Sequence, residues 1–456
     1  MMIQSAKNTT EKGEVRGEAT RRKILEAADK VFAQYPFKAA SVRKIAKEGG
    51  FEHPLIQYHF KTKARLFEEY ITGLNEEFVV AILNMLPGLE KVNPAQGLSL
   101  FLDRILDFGF QSSYMPVMML NVGGMDFLDE SLPGVGNMRK ALEKVVEFFR
   151  QSYKPKGTDR EITMWMFAFA LVMGNFMGAR QFHARAEELD PGQDQYRQWV
   201  KEAMTFLFLP PLKRLIRGTK GQDLGPIEPH GYSPRKKLKK SGLLNNLRKG
   251  EATRLKILEA AREVFATNPY STASIRMIGK RGGFDFTLIH HYFPTKKELF
   301  EAVGVDLLER SLLVDQDIMD GLEAMPALQG LTEAFGRILA NSFANPAPEM
   351  VLMQNMAQLD RGEDIPGFEF VFFYHQCVTD MIKERFFPSV SPKVMRMWLH
   401  CLVTITYSCV GAPAYPARIV GMDPTSLVYR QWVKDTLVFL FFPTLPELLF
   451  PTEASK

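Results

Sequence analysis

The sequence predicts an all-α protein built from two copies of one unit, each with an N-terminal helix-turn-helix domain followed by a larger helical domain. Residues 17–68 align without a gap with residues 250–301 and share 31 of 52 residues. The segments behind each copy carry apolar residues at helical spacing, without the alternation typical of strands. Because the 233-residue period far exceeds that of a solenoid repeat, we infer that a whole domain pair is duplicated.

Composition indicates an ordinary globular protein, since 24% of the 456 residues are charged and 46% are hydrophobic. The three cysteines (377, 401 and 409) are too few and too irregular for a disulfide framework, which suits a cytoplasmic protein. The N-terminal segment is polar and has no apolar core, so we expect no export signal. Residues 162–179 carry no charge and reach the lower length limit for a membrane span. Because charged residues flank them, we expect a buried core helix and no membrane association.

The repeat also sets the predicted domain boundaries. The hexapeptide YRQWVK occurs at 196–201 and again at 429–434, so the duplication extends to the end of each unit. A stretch rich in Gly, Pro and Lys separates the two units and is typical of a flexible linker. We predict helix-turn-helix domains at 17–68 and 250–301, helical domains at 69–216 and 302–450, and a linker at 217–249.

Positive charge is concentrated in three of these segments. Residues 17–68, 250–301 and 217–249 carry net charges of +5, +2 and +7, whereas the whole chain carries +5, so the remaining residues carry −9. This distribution indicates a polyanionic partner. Solvated helix surfaces and a solvated linker would produce the same charges, so the charge alone leaves both interpretations open.

The first copy shows how the helix-turn-helix arises. An apolar stripe that includes Ile24 and Phe32 predicts a first helix near 20–34, with Thr20 as its N-cap and Pro36 beyond its end. Ser41 can cap a second, short helix that ends in a glycine turn. A third helix follows from Glu52 to about Phe60, and a fourth begins at Thr62.

The third helix predicts the surface that would read DNA. Phe51, Ile56 and Phe60 are expected to face inward, which leaves the intervening side chains pointing outward. Gln can bond adenine through two hydrogen bonds, His can donate to a base or a phosphate, and lysines at the rim neutralise phosphates. An amphipathic helix in an all-α protein without any nucleic-acid partner would show the same pattern.

The segment SVRKIAKEGGFEHPLIQYHFKTKARLF resembles the DNA-binding segment of TetR-family transcriptional repressors. The matching positions are Ile45, Ala46, Gly50, His59, Phe60, Lys63 and Leu66 in the first copy and Ile278, Gly283, Tyr292, Phe293, Lys296 and Leu299 in the second. The sequence departs from the family pattern at Gln57 and His290, where the family usually has Tyr. It departs again at Pro36 and Pro269, where the family usually has Gly, and at Tyr292 in place of His.

The resemblance implies which residues contact the bases and phosphates of an operator. The centres of the two segments differ while their flanks agree, so we expect the copies to read unlike half-sites. The implied contacts are Arg43, His53, Pro54, Gln57, Tyr58, His59 and Lys63 in the first copy and Arg276, Phe286, Thr287, His290, His291 and Lys296 in the second.

The resemblance also implies that the helical domains are effector and dimerisation domains. In the first unit we predict helices near 95–111, 115–127, 135–153, 160–184 and 193–209. Members of the family pair their last two helices with those of a second subunit, so we expect an intramolecular pseudo-dimer, with a homodimer of tandem chains as the alternative. The predicted seam residues are Phe169, Met173, Phe176, Trp199 and Trp432, and the predicted effector-pocket residues are Met118, Phe127 and Trp165, which would otherwise be ordinary core.

The resulting hypothesis is a cytoplasmic transcriptional repressor that binds a double-stranded DNA operator and is released by a small lipophilic effector. The alternative is a structural DNA-associated adaptor whose C-terminal surface recruits a protein. In a third possibility, the second copy has lost DNA binding and serves only as a dimerisation partner. His375 and Cys377, like His400 with Cys401 and Cys409, match no zinc spacing, so we expect no metal. No nucleotide-binding or catalytic motif occurs, and we expect neither a cofactor nor enzymatic activity.

Overall fold

A computed structural model describes residues 2–122, 135–218, 249–362, 364–445 and 448, and the described residues form helices without any strand, as predicted. The first half contains α1 (Met2–Phe32), α2 (Val42–Gly49), α3 (His53–Phe60), α4 (Lys63–Asn84), α5 (Pro94–Gln111), α6 (Tyr114–Val122), α7 (Val135–Tyr153), α8 (Asp159–Gly178), α9 (Arg180–Ala186) and α10 (Asp194–Arg217).

The second half repeats this order. It contains α11 (Lys249–Thr267), α12 (Ile275–Gly282), α13 (Phe286–Tyr292), α14 (Lys296–Met319), α15 (Ala327–Ala344), α16 (Ala347–Asn355), α17 (Glu369–Phe386), α18 (Pro392–Gly411), α19 (Ala414–Ile419) and α20 (Leu427–Phe441). Short 3₁₀ helices lie at Leu89–Lys91, Leu322–Ala324, Met356–Arg361 and Phe442–Thr444.

Side-chain caps start the short helices where the sequence predicts them. The Ser41 hydroxyl accepts a hydrogen bond from the Lys44 amide at the start of α2, and Thr62 caps α4 in the same way. The prediction for Thr20 is wrong, because α1 already begins at Met2 and runs through this residue.

Two helix boundaries in the first half differ from the prediction. The expected helix 160–184 breaks at Ala179, where α6 crosses so closely that a Cβ atom on Gly178 would lie 2.7 Å from the Met115 carbonyl oxygen. The expected helix 193–209 continues to Arg217 through two consecutive prolines. The predicted end of the 115–127 helix lies outside the described residues, which include α6 only as far as Val122.

The two halves pack against each other through α8 and α10 of the first half and α18 and α20 of the second. Asn175 donates a hydrogen bond to the Ser408 hydroxyl over 3.1 Å, and the rings of Phe167 and Trp432 meet edge to face with centroids 4.6 Å apart. Of the described helices, α8 alone is long and apolar enough to cross a membrane, and 72% of its apolar window is buried inside the protein. Its apolar surface is therefore largely used in packing.

The contact between the halves corrects one predicted seam residue. Trp199 and Phe176 lie at the contact, with ring centroids 5.2 and 5.7 Å from that of His400 in the other half. Phe169 instead packs within its own half, where its ring partners are Phe101, Trp165 and Phe208. Successive helical residues are about 100° apart, so Phe169 and its second neighbour Phe167 point to nearly opposite faces. Met173 is fully buried, and Trp432 contacts the first half through Phe167.

A buried hydrogen-bonded chain of two histidines and a glutamate also joins the halves, and no pattern in the sequence predicts it. His400 Nδ1 lies 3.0 Å from Glu187 Oε1, and His400 Nε2 lies 2.7 Å from His183 Nδ1. A carboxylate can only accept, so His400 Nδ1 donates to it and, with both rings neutral, His183 Nδ1 donates to His400. This order leaves His183 Nε2 unprotonated, in agreement with its having no hydrogen-bond partner.

Burial lowers the pKa of His183 well below its ordinary value, and the neighbouring His400 and His375 act in the same direction. Burial also lowers the pKa of His375, to about 3. Both histidines therefore bind protons more weakly in the folded chain than in the unfolded chain. The stability linked to them is complete above pH ~6.5 and is lost as the pH falls below that value.

We therefore expect the free energy of unfolding to fall by about 1–2 kcal/mol or more between pH 7.5 and pH 5, because buried histidines must be protonated. Urea unfolding at the two pH values measures this difference. His183→Asn keeps a polar group near Nδ1 without a titratable ring and should lose less stability. The exposed His53→Asn is the control and should behave like the unmodified chain; an unchanged pH dependence in His183→Asn would contradict the assignment.

Candidate nucleic-acid interface

A left-handed glycine joins α2 and α3. Gly50 has φ +66°, which lets the chain reverse after α2, and a side chain on the preceding Gly49 would collide with the ring of Phe51. Ile56 and Phe60 are buried beneath α3. Gly283, with φ +70°, and the buried Ile289 and Phe293 repeat this arrangement in the second half.

The predicted contact residues of the first copy form the outer face of this motif. Arg43 is exposed on α2, and His53, Pro54 and Gln57 are exposed on α3. Tyr58 is also exposed, with 73% of its surface accessible to solvent. His59 is half-buried at the end of the helix. The exposed face of α3 thus offers an amide, an imidazole and an aromatic ring.

The corresponding face of the second copy has different chemistry. Arg276, Thr287 and His291 are exposed, as is Phe286 with 52% of its surface free. His290 Nδ1 lies 3.0 Å from the carbonyl oxygen of Pro294 and must donate to it, so the neutral ring presents Nε2 as an acceptor.

A carboxylate lies beside this second face. Asp285 Oδ1 accepts hydrogen bonds from the amide and the hydroxyl of Thr287, and these bonds lower the pKa of Asp285. The exposed negative charge would repel nearby phosphates. The hydroxyl proton of Thr287 is already used, which leaves its methyl group and the Phe286 ring as apolar surface for a thymine methyl group.

The ammonium groups of Lys63 and Lys296 do not point outward as the predicted phosphate contacts require. The Lys63 ammonium donates to the carbonyl oxygens of Phe37 and Ala40 over 2.7 and 2.9 Å and lies 4.2 Å from the centre of the Phe37 ring. Burial lowers the pKa of Lys63. Lys296 donates in the same way to Tyr270 and Ala273. The ammonium groups therefore hold the loop between the first two helices, and we correct their assignment to a structural one.

Arg21 fixes the end of α3, which the motif comparison missed. Its guanidinium bonds the Glu69 carboxylate, donates to the His59 carbonyl over 3.1 Å and covers the Phe60 ring at 4.4 Å. Arg254 lies over Phe293 at 4.9 Å in the second copy. The segment GEATR is identical at 17–21 and 250–254, and this identity could have pointed to Arg21 and Arg254.

Asparagines connect each helix-turn-helix domain to the helical domain behind it. Asn121 on α6 accepts a hydrogen bond from the Phe37 amide over 2.7 Å, and Asn355 on α16 accepts one from the Tyr270 amide over the same distance. Both bonds hold the loop that the lysines also hold. Each asparagine thereby ties α6 or α16 to the loop between the first two helices of the helix-turn-helix domain of the same half.

The predicted effector-pocket residues of the first half belong to its packed core. Trp165 donates from Nε1 to the Phe208 carbonyl oxygen over 2.9 Å and stacks on Phe149 and Phe169. Met118 is also buried, while Phe127 lies outside the described residues. Hence Trp165 is corrected from a pocket residue to a core residue.

A small polar cleft lies elsewhere, at the contact between the halves. Its volume is about 20 Å³, room for a water molecule or two, and its lining includes Glu187, His375 and His400. Among the residues that the structure describes, no group of three or more His, Cys, Asp or Glu side chains could hold a metal ion.

Comparison with known proteins places both helix-turn-helix domains in one family. Residues 24–70 and 257–303 each match the model of bacterial regulatory proteins of the tetR family. The chain is 29% identical over 116 residues to the HTH-type transcriptional regulator UidR of Escherichia coli (strain K12) and, equally, to UidR of Shigella flexneri. The match covers 23% of this chain and 59% of each relative, so it spans less than two thirds of their length.

Lys63→Met should lower the stability of the first helix-turn-helix domain by about 1–3 kcal/mol, because two charge-assisted hydrogen bonds are lost while the alkyl chain remains. Hydrogen exchange at residues 37–40 and thermal unfolding measure this effect. The exposed Lys61→Met is the control. It should leave stability unchanged and, if Lys61 neutralises a phosphate, reduce the log–log salt slope of DNA binding by about 1. A reduced slope without lost stability in Lys63→Met would restore the phosphate assignment.

Proposed function

We propose that this chain, whose two helix-turn-helix domains each match the tetR-family model, is a DNA-binding transcriptional repressor whose two helix-turn-helix domains read unlike half-sites of one operator. The observation that carries this proposal is the chemical difference between two otherwise equivalent exposed faces. Gln57 and Tyr58 occupy the centre of one, and His290 and His291 the centre of the other. Base edges are read by the hydrogen-bonding pattern of such side chains.

The two domains are held in one chain as an intramolecular pseudo-dimer in this proposal. Family dimers match a two-fold protein axis to a palindromic site. Here α8 and α10 pair with α18 and α20 of the same chain, which supports a single chain occupying both half-sites. Arg160 forms an ion pair with Asp435, and Lys393 reaches Glu202 over 2.8 Å, so charged contacts flank the apolar ones.

Release by a small lipophilic effector completes the proposed function. An effector that binds one arrangement of the helical domains more tightly would shift the population toward that arrangement. The bonds of Asn121 and Asn355 support this part, since they join the helical domains to the recognition elements. The dense packing around Trp165 favours the structural adaptor as the alternative role for the first half.

Selection of bound duplexes from a random DNA pool by the full-length chain should enrich a site with two unlike half-sites. Gln57→Ala should relax base preference in one half-site only, and His290→Ala in the other only, each by about 1–3 kcal/mol per base pair. The two variants are matched controls for each other. Loss of preference in both half-sites from either variant would contradict separate reading, and no enrichment would favour the adaptor.

Sedimentation of the chain with its selected duplex should give one chain per duplex, because both reading domains are covalently joined. A duplex that keeps one half-site should bind the same number of chains with lower affinity. A complex with two chains on a full site would instead identify a dimer of tandem chains.

Trp432→Ala, which empties the space beside Phe167, should lower the free energy of unfolding by about 3–5 kcal/mol.

A further inference from the structure

A hydrogen bond holds the ring of His290 at the centre of the second recognition helix. His290 is exposed on α13, and its Nδ1 atom lies 3.0 Å from the carbonyl oxygen of Pro294. The ring of Phe286, one helical turn earlier, meets the imidazole edge to face with centroids 6.3 Å apart. These two contacts restrict the orientation of a side chain that would otherwise be free to rotate.

The proline at the end of the motif explains why this bond forms in the second copy. A residue that precedes proline is disfavoured in the helical conformation, and Phe293 is extended, with φ −138° and ψ 94°. Helix α13 therefore ends one residue earlier than α3 does, and the Pro294 carbonyl lies beside His290. In the first copy, Lys61 stands in place of Pro294 and Gln57 in place of His290.

The bond decides which hydrogen bonds the imidazole can still form. A carbonyl oxygen can only accept, so Nδ1 of His290 carries a proton and donates it to Pro294. The neutral ring then has no proton on Nε2, and this atom can only accept. A histidine without such a bond could adopt the other tautomer and donate from Nε2. The side chain of Gln57, by contrast, carries both a donor and an acceptor.

The four bases respond differently to a side chain that can only accept. In the major groove, adenine presents its N6 amino group and cytosine its N4 amino group, whereas the polar atoms of guanine and thymine there are all acceptors. Nε2 of His290 can therefore bond adenine or cytosine, while guanine or thymine would place two acceptors against each other. Gln57 can bond both N6 and N7 of adenine.

We propose that His290 selects a base with an exocyclic amino group, adenine or cytosine, at one position of the second half-site and disfavours guanine and thymine there. Apolar surface lies on the same face, because 52% of Phe286 is exposed and the hydroxyl of Thr287 is bonded to Asp285, which leaves its methyl group. A neighbouring base pair should therefore contribute a thymine methyl group. This assignment rests on the proposed DNA-reading function and deepens it.

Selection of bound duplexes by the full-length chain at pH 8, where an exposed imidazole is neutral, locates the position. We expect adenine or cytosine there to be preferred about 3–10-fold over guanine or thymine, as one hydrogen bond allows. His290→Gln gives the second copy the side chain of the first, so the preference should narrow to adenine at that position only. The first half-site, read by Gln57, is the internal control and should not change.

Modified bases identify the atom that His290 contacts. In paired N6-methyladenine or N4-methylcytosine the methyl group replaces the amino proton of the major groove, so the one that matches the selected base should weaken binding about 3–10-fold. A 7-deazapurine in the same base pair lacks N7 and should have no effect, whereas 7-deazaadenine at the Gln57 position should weaken binding. Uracil in place of the neighbouring thymine should cost about fourfold. The same modifications outside both half-sites are the controls.

The tautomer can be measured without DNA. Nitrogen-15 spectra of the histidine rings at pH 8 should show His290 with a protonated Nδ1 and a bare Nε2, and His290→Gln assigns its signals among the eight histidines. Pro294→Ala removes the restriction on Phe293 and should give a mixture of both tautomers. In DNA binding, the same variant should accept guanine as well at the position that His290 reads, because Nε2 can then donate.

Three outcomes would overturn the inference. A preference for guanine or thymine at the position that responds to His290→Gln, or a protonated Nε2 in the spectra, would do so while a selected operator keeps the repressor. A selected site with a half-site for the first copy only would identify the second copy as a partner that does not read DNA. Absence of any selected site would remove the proposed repressor and, with it, this role of His290, whichever tautomer the spectra show.

Discussion

The contact between α8 and α10 of the first half and α18 and α20 of the second determines the arrangement of the whole chain. Each half alone would expose the apolar faces of the two helices that it contributes to this contact, and burying those faces is the dominant favourable term in such an association. Some polar groups within this contact are paired across it, as in the bond between Asn175 and Ser408, whereas Asn175 Oδ1, His183 Nε2 and Trp199 Nε1 have no hydrogen-bond partner. Because unpaired buried polar groups are costly, these pairs also fix the register in which the halves meet.

The positions of the two recognition helices follow from this contact through a few local bonds. Asn355 holds the loop of the second helix-turn-helix domain, and the turn that follows it carries Asp360, which accepts a hydrogen bond from the Gln181 amide of the first half over 3.1 Å. Lys38 of the first helix-turn-helix domain donates to the Thr267 carbonyl of the second over 3.0 Å. Hydrogen bonds between the halves therefore lie both behind the second helix-turn-helix domain and between the two helix-turn-helix domains.

The sequence predicted the repeated elements well because their signals are local. Caps such as Ser41 and the left-handed Gly50 act within a few residues, and so does the apolar spacing of α3. Prediction from the sequence was wrong where the position of a side chain depends on a partner far away along the chain. The rotation of α8 about its axis decides whether Phe167 or Phe169 faces the other half. The Lys63 ammonium donates hydrogen bonds to carbonyl oxygens that lie 23 and 26 residues away in the sequence. The chain of His183, His400 and Glu187 is formed by residues up to 217 positions apart, so no spacing rule could have found it.

Covalent duplication separates the positions that maintain the fold from those that are free to differ. In a homodimer, any substitution occurs in both subunits and changes both DNA-reading surfaces and both interiors. In this chain, each half carries its own residues and can change alone. The two copies agree where a bond holds the architecture, as at Lys63 and Lys296 or at Asn121 and Asn355. They differ on the exposed faces of α3 and α13. Because these faces are exposed and lie apart from the contact of α8 and α10 with α18 and α20, they can differ without disturbing the packing of the two halves.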